Sequence, residues 1–201
     1  MLPLLQYLAA ISAASFGVLL ARSKGMDLIG VCCIAFTVAF GGGTLRDVLL
    51  DRTPLFWIAE DHYTWTVLGL AVVGSLIPRL SPDLTKWLHL PDALGLGLYS
   101  VVGAGIALEM GTPPLIASIF GVITGTFGGV IGDIACNEVP NLFRPSTPLY
   151  ASCSFVGCWV FIGLLELGVA DTPAQWVAVV LILSMRMAAL RFNWSLPSPK
   201  T

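Results

Sequence analysis

Two stretches decide how this chain reads: VAFGGGTLRD, residues 38–47, and TFGGVIGD, residues 126–133. Each sets glycines inside an apolar run, and each ends on an aspartate. Sliding the chain against itself by 86 residues superposes them, so that Gly42 and Gly43 meet Gly128 and Gly129, and Asp47 meets Asp133. The register continues without a gap to Pro54 and Pro140. Backwards it pairs Gly17 with Gly103, Ala21 with Ala107 and Gly25 with Gly111. Matches that fall on glycine, proline and aspartate point to shared backbone geometry, and the chain reads as a duplication.

The residues around the two stretches set the solvent. Of 201 residues, 56% are hydrophobic and only 11% charged, against about a quarter charged in a soluble domain. A helix needs roughly 20 apolar residues to cross the hydrocarbon core. Charge-free runs cover 2–21, 28–45, 63–78, 93–108, 110–132 and 145–165. A seventh covers 172–185 and reaches 190 past Arg186. The fold expected is an all-α membrane protein with seven transmembrane helices. Residues 1–80 form a first three-span repeat, 81–91 an interfacial linker, 92–166 a second repeat and 172–191 a seventh helix. An odd number of spans reverses the following copy, so the repeats are inverted about an axis in the membrane plane. The first run lacks a basic leader and reads as a span, not a signal peptide.

Eight of the ten basic residues (Arg22, Lys24, Arg79, Lys86, Arg144, Arg186, Arg191 and Lys200) fall on one side of such a layout, and Arg46 and Arg52 on the other. The positive-inside rule places the N-terminus outside and the C-terminus in the cytoplasm. Residues 81–90 suit a short interfacial helix, with Trp87 at headgroup level. The five cysteines sit in apolar runs and read as small fillers. His62 and His89 are isolated, so no metal centre and no cofactor is expected. No basic tail addresses nucleic acid.

Each mid-helix glycine costs about 1 kcal/mol relative to alanine, and three in succession should bend or open the second span. Opened carbonyls inside a bilayer are tolerated only against protein or a water-filled cavity. A glycine break beside charges therefore points to a hydrated path in which carbonyls face a cation. The expected hinge is Gly41, Gly42 and Gly43 in one copy, and Gly128 and Gly129, with Gly125, in the other. Thr44, Arg46, Asp47, Asp133 and Glu138 are the expected polar lining. Arg46 is expected to pair across the repeats with Asp133. The competing reading is close helix packing, which small residues also permit, with Arg46, Asp47 and Glu138 at the interface and Glu109 and Glu166 solvated.

At Gly41 to Asp47 and Gly128 to Asp133, with the trailing Pro54 and Pro140, the chain resembles the prokaryotic branch of the TRIC (trimeric intracellular cation channel) family. The resemblance extends over nearly the whole length. It implies a homotrimer in a prokaryotic inner or plasma membrane, with a pore in each subunit between the second and fifth spans, passing potassium and sodium. The same sequence family is described as containing glycine transporters, so a secondary transporter of a small amino acid is the alternative. Family members commonly carry Arg-Asp after the second glycine motif, whereas here Gly132 precedes Asp133. Arg22, Lys24, Arg79 and Lys86 would suit the headgroups of a bound anionic lipid. An enzyme is not expected: an intramembrane aspartyl protease built on Asp47 and Asp133 would need glycine where Val130 stands. A structural scaffold is the remaining alternative.

Overall fold

The computed structural model describes residues 2–77, 88–145 and 147–197. Within them lie eight α-helices: α1 (Leu2–Ser23), α2 (Leu28–Leu49), α3 (Phe56–Ala59), α4 (His62–Leu76), α5 (His89–Glu109), α6 (Pro114–Ala135), α7 (Ala151–Glu166) and α8 (Asp171–Phe192). A 3-10 turn spans Asn141–Phe143. Most of the expected interfacial helix over 81–90, with Trp87, lies outside the described residues, and His89 and Leu90 already belong to α5. Five helices (α1, α2, α5, α6 and α8) are long and apolar enough to cross a membrane. A 22-residue helix is about 33 Å long at 1.5 Å per residue, enough for a hydrocarbon core of about 30 Å. α4 and α7 are shorter, at 15 and 16 residues. Their outward faces are apolar, with Trp65, Val73 and Leu76 exposed on α4 and Val156 and Trp159 on α7. Buried in the opposite faces are Val67 and Ala71 on α4, and Cys153, Cys158 and Phe161 on α7. Such a distribution belongs in lipid, and the protein is an all-helical membrane protein.

The turn chemistry explains where the helices stop, and it repeats. α1 ends at Gly25 (φ +69°) and α5 at Gly111 (φ +77°). Left-handed φ at a helix C-terminus favours glycine. After the first, the amide of Met26 donates to the Ala21 carbonyl at 3.2 Å. After the second, the amide of Thr112 donates to the Ala107 carbonyl at 3.1 Å. The next helices open differently. Asp27 caps α2 by accepting from the Gly30 amide at 2.8 Å, whereas α6 begins on Pro114, whose missing N–H is unneeded at that position.

α1, α2, α5 and α6 form the centre of the molecule. α2 packs on α1, α4 and α6, and α6 also packs on α5 and α7. α8 closes the far side against α5 and α7. α2 and α6 are antiparallel where they cross: Gly42 faces Thr124, and Val38 faces Gly128 and Gly132.

Candidate functional site

Both glycine stretches lie in unbroken helix. α2 runs through Gly41, Gly42 and Gly43, and α6 through Gly125, Gly128 and Gly129, without interruption. This corrects the expectation that these positions open the backbone. The glycines act by having no side chain. A Cβ on Gly42 would collide with the Thr124 carbonyl oxygen, and one on Gly128 with the Val38 carbonyl oxygen. The two backbones therefore meet directly, as small residues allow between membrane helices. Gly43 makes room for the Phe56 ring, and Gly41 faces the Ile131 side chain. A Cβ on Gly129 would meet only the Tyr150 hydroxyl, at an ordinary contact distance of 3.7 Å.

Arg46 and Asp47, near the C-terminal end of α2, are both fully buried within the protein. The expected pairing of Arg46 with Asp133 is also corrected. Both residues sit near the C-terminal ends of antiparallel helices, so they lie at opposite ends of the bundle. Instead Arg46 turns back on its neighbour, its Nε and Nη2 donating to Asp47 Oδ1 at 2.9 and 2.7 Å. Its guanidinium lies 5.7 Å from the centre of the Phe56 ring, and Nη1 has no partner. The second oxygen of Asp47 accepts from the Phe56 amide at 3.1 Å. Asp133 does the same in the second copy, its Oδ2 accepting from the Asn141 amide at 2.9 Å. Each aspartate thus anchors the start of the short helical turn that follows its span, just after Pro54 or Pro140. Thr44 is engaged as well, accepting from Trp57 Nε1 at 2.9 Å.

Glu138, expected among the polar lining, is on the surface in ion pairs with Lys24 and Arg144. The hydrogen bond between them holds the Lys24 ammonium above its ordinary range and the Glu138 carboxyl below its own. Arg22 donates to the carbonyls of Gly74 and Ser75, so both described basic residues at the α1 end are occupied within the chain.

Two cavities open at opposite ends of the central helices. One, of about 410 Å³, opens at the α6 C-terminal end and is lined by Asp92, Thr126, Asp133, Tyr150 and Arg186 among others. The other, of about 460 Å³, opens at the α2 C-terminal end among Gln6, Arg52, Phe56, Glu60, Tyr63 and Asp171. Inward of the 410 Å³ cavity lies a constriction of about 20 Å³, walled by Val38, Tyr99, Thr124, Gly128 and Tyr150, with room for about one water molecule. Phe16, Asp92, Gly129 and Tyr150 line both the constriction and the 410 Å³ cavity. The constriction sits where the glycines bring α2 and α6 together, and it shares no lining residue with the 460 Å³ cavity.

Three of these residues form a cluster that the glycine and aspartate motifs do not reveal. Tyr150 donates to Asp92 Oδ1 at 2.8 Å, Arg186 Nη2 lies 3.6 Å from Asp92 Oδ2, and the Arg186 guanidinium stacks 4.6 Å from the Tyr150 ring centre. The available sequence signal was ionisable side chains within apolar helices, Asp92 in the first turn of α5 and Arg186 inside α8. Tyr99, donating to the Ala39 carbonyl at 2.6 Å, had no such signal.

The family model described as Glycine transporter matches this chain twice, over residues 3–79 and 89–166. The chain belongs to that family. Its relatives include a UPF0126 membrane protein of Vibrio cholerae, 37% identical over 90% of this chain and 76% of that protein. The UPF0126 inner membrane protein YadS of Escherichia coli is 34% identical over 90% of this chain and 88% of its own length. Among solved structures, the TRIC trimeric intracellular cation channel orthologue from Rhodobacter sphaeroides superposes with a TM-score of 0.90 at 32% identity, covering 96% of this chain and 98% of that one. A TRIC cation channel solved to explain conductance gives 0.89 at 31% identity, with 99% and 97% covered. The TRIC resemblance carried by the glycine and aspartate motifs therefore holds over the whole fold.

Proposed function

We propose that this protein is a monovalent cation channel, passing potassium and sodium through a path within each subunit. The observation that carries the reading is a cavity that narrows to the α2–α6 glycine crossing from one end of the bundle, with a second cavity opening at the other end. It is supported by similarity to solved cation channels along nearly the entire chain. Asp92 and Asp133 in one cavity, and Glu60 and Asp171 in the other, favour cation entry at both mouths. The constriction is too small for a hydrated ion, so the structure corresponds to a shut state.

In this reading α1, α2 and α4 form the first repeat and α5, α6 and α7 an inverted second, with α8 outside the duplication and seven spans in all. The double family match and the duplicated turns support it. Residues 1–80 and 92–166 are the two units, 81–91 joins them, and 172–191 is the last span. The basic end, with Arg22, Lys24, Arg144 and Arg191, faces the cytoplasm, and the N-terminus lies outside. Three copies assemble in the inner membrane, as in the trimeric orthologue. Potassium efflux from proteoliposomes containing the purified protein tests the reading. Efflux above empty liposomes supports it, and its absence from folded protein rejects it.

One observation favours a second reading. A shut centre between two vestibules also suits alternating access to a small solute, and the family description names glycine. Saturable uptake of labelled glycine without potassium conductance would select the transporter.

A further inference from the structure

Four residues are shared by the constriction and the cytoplasmic cavity: Phe16, Asp92, Gly129 and Tyr150. Phe16 sits mid-helix in α1 and Gly129 has no side chain. Tyr150 differs in standing outside regular helix, at φ −126° and ψ −76°, one residue before α7 begins. A ring on that backbone can leave its position without unwinding a span. It is therefore the large side chain at this boundary best placed to move.

What holds the ring is polar and comes from two other helices. Asp92 of α5 accepts its hydroxyl hydrogen, and Arg186 of α8 covers its face. Arg186 also donates through Nη1 to the Pro148 and Leu149 carbonyls, each at 2.9 Å, which fixes the backbone from which Tyr150 projects. The C-terminal tail adds a clip. The Leu149 amide donates to the Trp194 carbonyl at 2.8 Å, and Pro148 pairs with Ser195 in a single antiparallel bridge. Yet the arrangement is imperfect, because Arg186 is only 4% exposed and its Nε has no partner. A buried donor left unsatisfied favours any rearrangement that admits water, and two packings of similar energy are what a gate requires.

We propose that Tyr150 is the cytoplasmic gate of the path, held shut by Asp92 and Arg186. The proposal rests on the conduction reading for its role in flux, but not for the movement itself. When the ring swings out, the constriction joins the cytoplasmic cavity. Asp92, released from the hydroxyl, then faces the passage on the same side as Asp133 and offers a carboxylate to the entering cation.

Two measurements test it. Tyr150→Phe keeps the ring and removes the hydroxyl, and Tyr150→Ala removes both. Potassium efflux from proteoliposomes should rise several-fold in the first and further in the second. Labelling of Thr124→Cys by a cationic methanethiosulfonate reagent should accelerate in the same order. That rate is read by mass spectrometry after subtracting the native cysteines in each parent variant. Thr124 walls the constriction beyond the ring, so this rate reports opening even if no ion flows. Unchanged labelling in both variants would overturn the gate whatever the flux. Faster labelling with no efflux from any variant would uphold the gate and overturn the channel. Labelling that accelerates only in Tyr150→Ala would overturn the hydroxyl latch.

Discussion

Asp47 and Asp133 do one local task twice, each receiving a backbone amide from the turn after its span, but their second duties differ. Asp47 also neutralises Arg46, whose matched position in the other copy is Gly132. Replacing Asp47 by alanine leaves a guanidinium buried without its counter-charge, an error costing about 3–5 kcal/mol. Asp133→Ala strands no such charge and should cost only its amide bond, about 1–3 kcal/mol. Unfolding in detergent micelles would check the order, and equal losses would mean that Arg46 finds another partner. On the surface, the Lys24–Glu138 pair gives a pH signature. The Glu138 carboxyl titrates below its ordinary value, so its contribution is full above that ordinary value and is lost as pH falls through the lowered one. Lys24 titrates above its ordinary value, so its share is full below that value and is lost as pH rises through the raised one. The melting temperature of Glu138→Gln should therefore fall slightly below wild type near neutrality and converge with it in acid. Both groups are solvated, and the gap should shrink in high salt.

At the scale of the helix, the crossing of α2 and α6 is the critical contact. Gly42→Ala and Gly128→Ala each press a methyl group into a backbone carbonyl on the partner helix. Backbone cannot step aside as a flexible side chain can, so each should destabilise by about 1–3 kcal/mol. Gly129→Ala would make only an ordinary van der Waals contact with the Tyr150 hydroxyl, at 3.7 Å, and should fold as wild type. Thermal unfolding of the three purified variants distinguishes this pattern from a general intolerance of side chains in the stretch. The helices themselves were legible in the sequence, because runs free of charge and bounded by Gly25, Gly111 and Gly168 leave few alternatives. The glycine register between residues 42 and 128 was legible for the same reason, since only glycine satisfies both sites. What the glycines do was not legible. A run of three can open a helix or admit a neighbour, and the choice depends on which backbone lies opposite. The Asp92–Tyr150–Arg186 cluster stayed hidden because its members are 58 and 36 residues apart in the chain and meet only when α5, α7 and α8 assemble.

For the whole molecule, the charge distribution decides orientation, because a duplicated fold has little else to distinguish its two ends. α1 and α5 run in opposite directions, since Leu2 lies against Gly105 and Ala13 against Gly95. An inverted pair of repeats would insert almost equally well either way up. The symmetry is broken by Arg22, Lys24, Arg144 and Arg191 at one end, against Arg52 and the buried Arg46 at the other. Arg46 is internally neutralised and Arg52 also leans toward Asp47, which weakens the opposing signal further. Basic residues near short loops resist translocation, so the end carrying the α8 C-terminus is expected to stay in the cytoplasm. A green fluorescent protein fused after Thr201 should fluoresce in a bacterial host, while alkaline phosphatase at the same point should stay inactive. The opposite pair of results would turn the molecule over and make the 460 Å³ cavity the cytoplasmic mouth. Charge alone would then have failed to orient the fold.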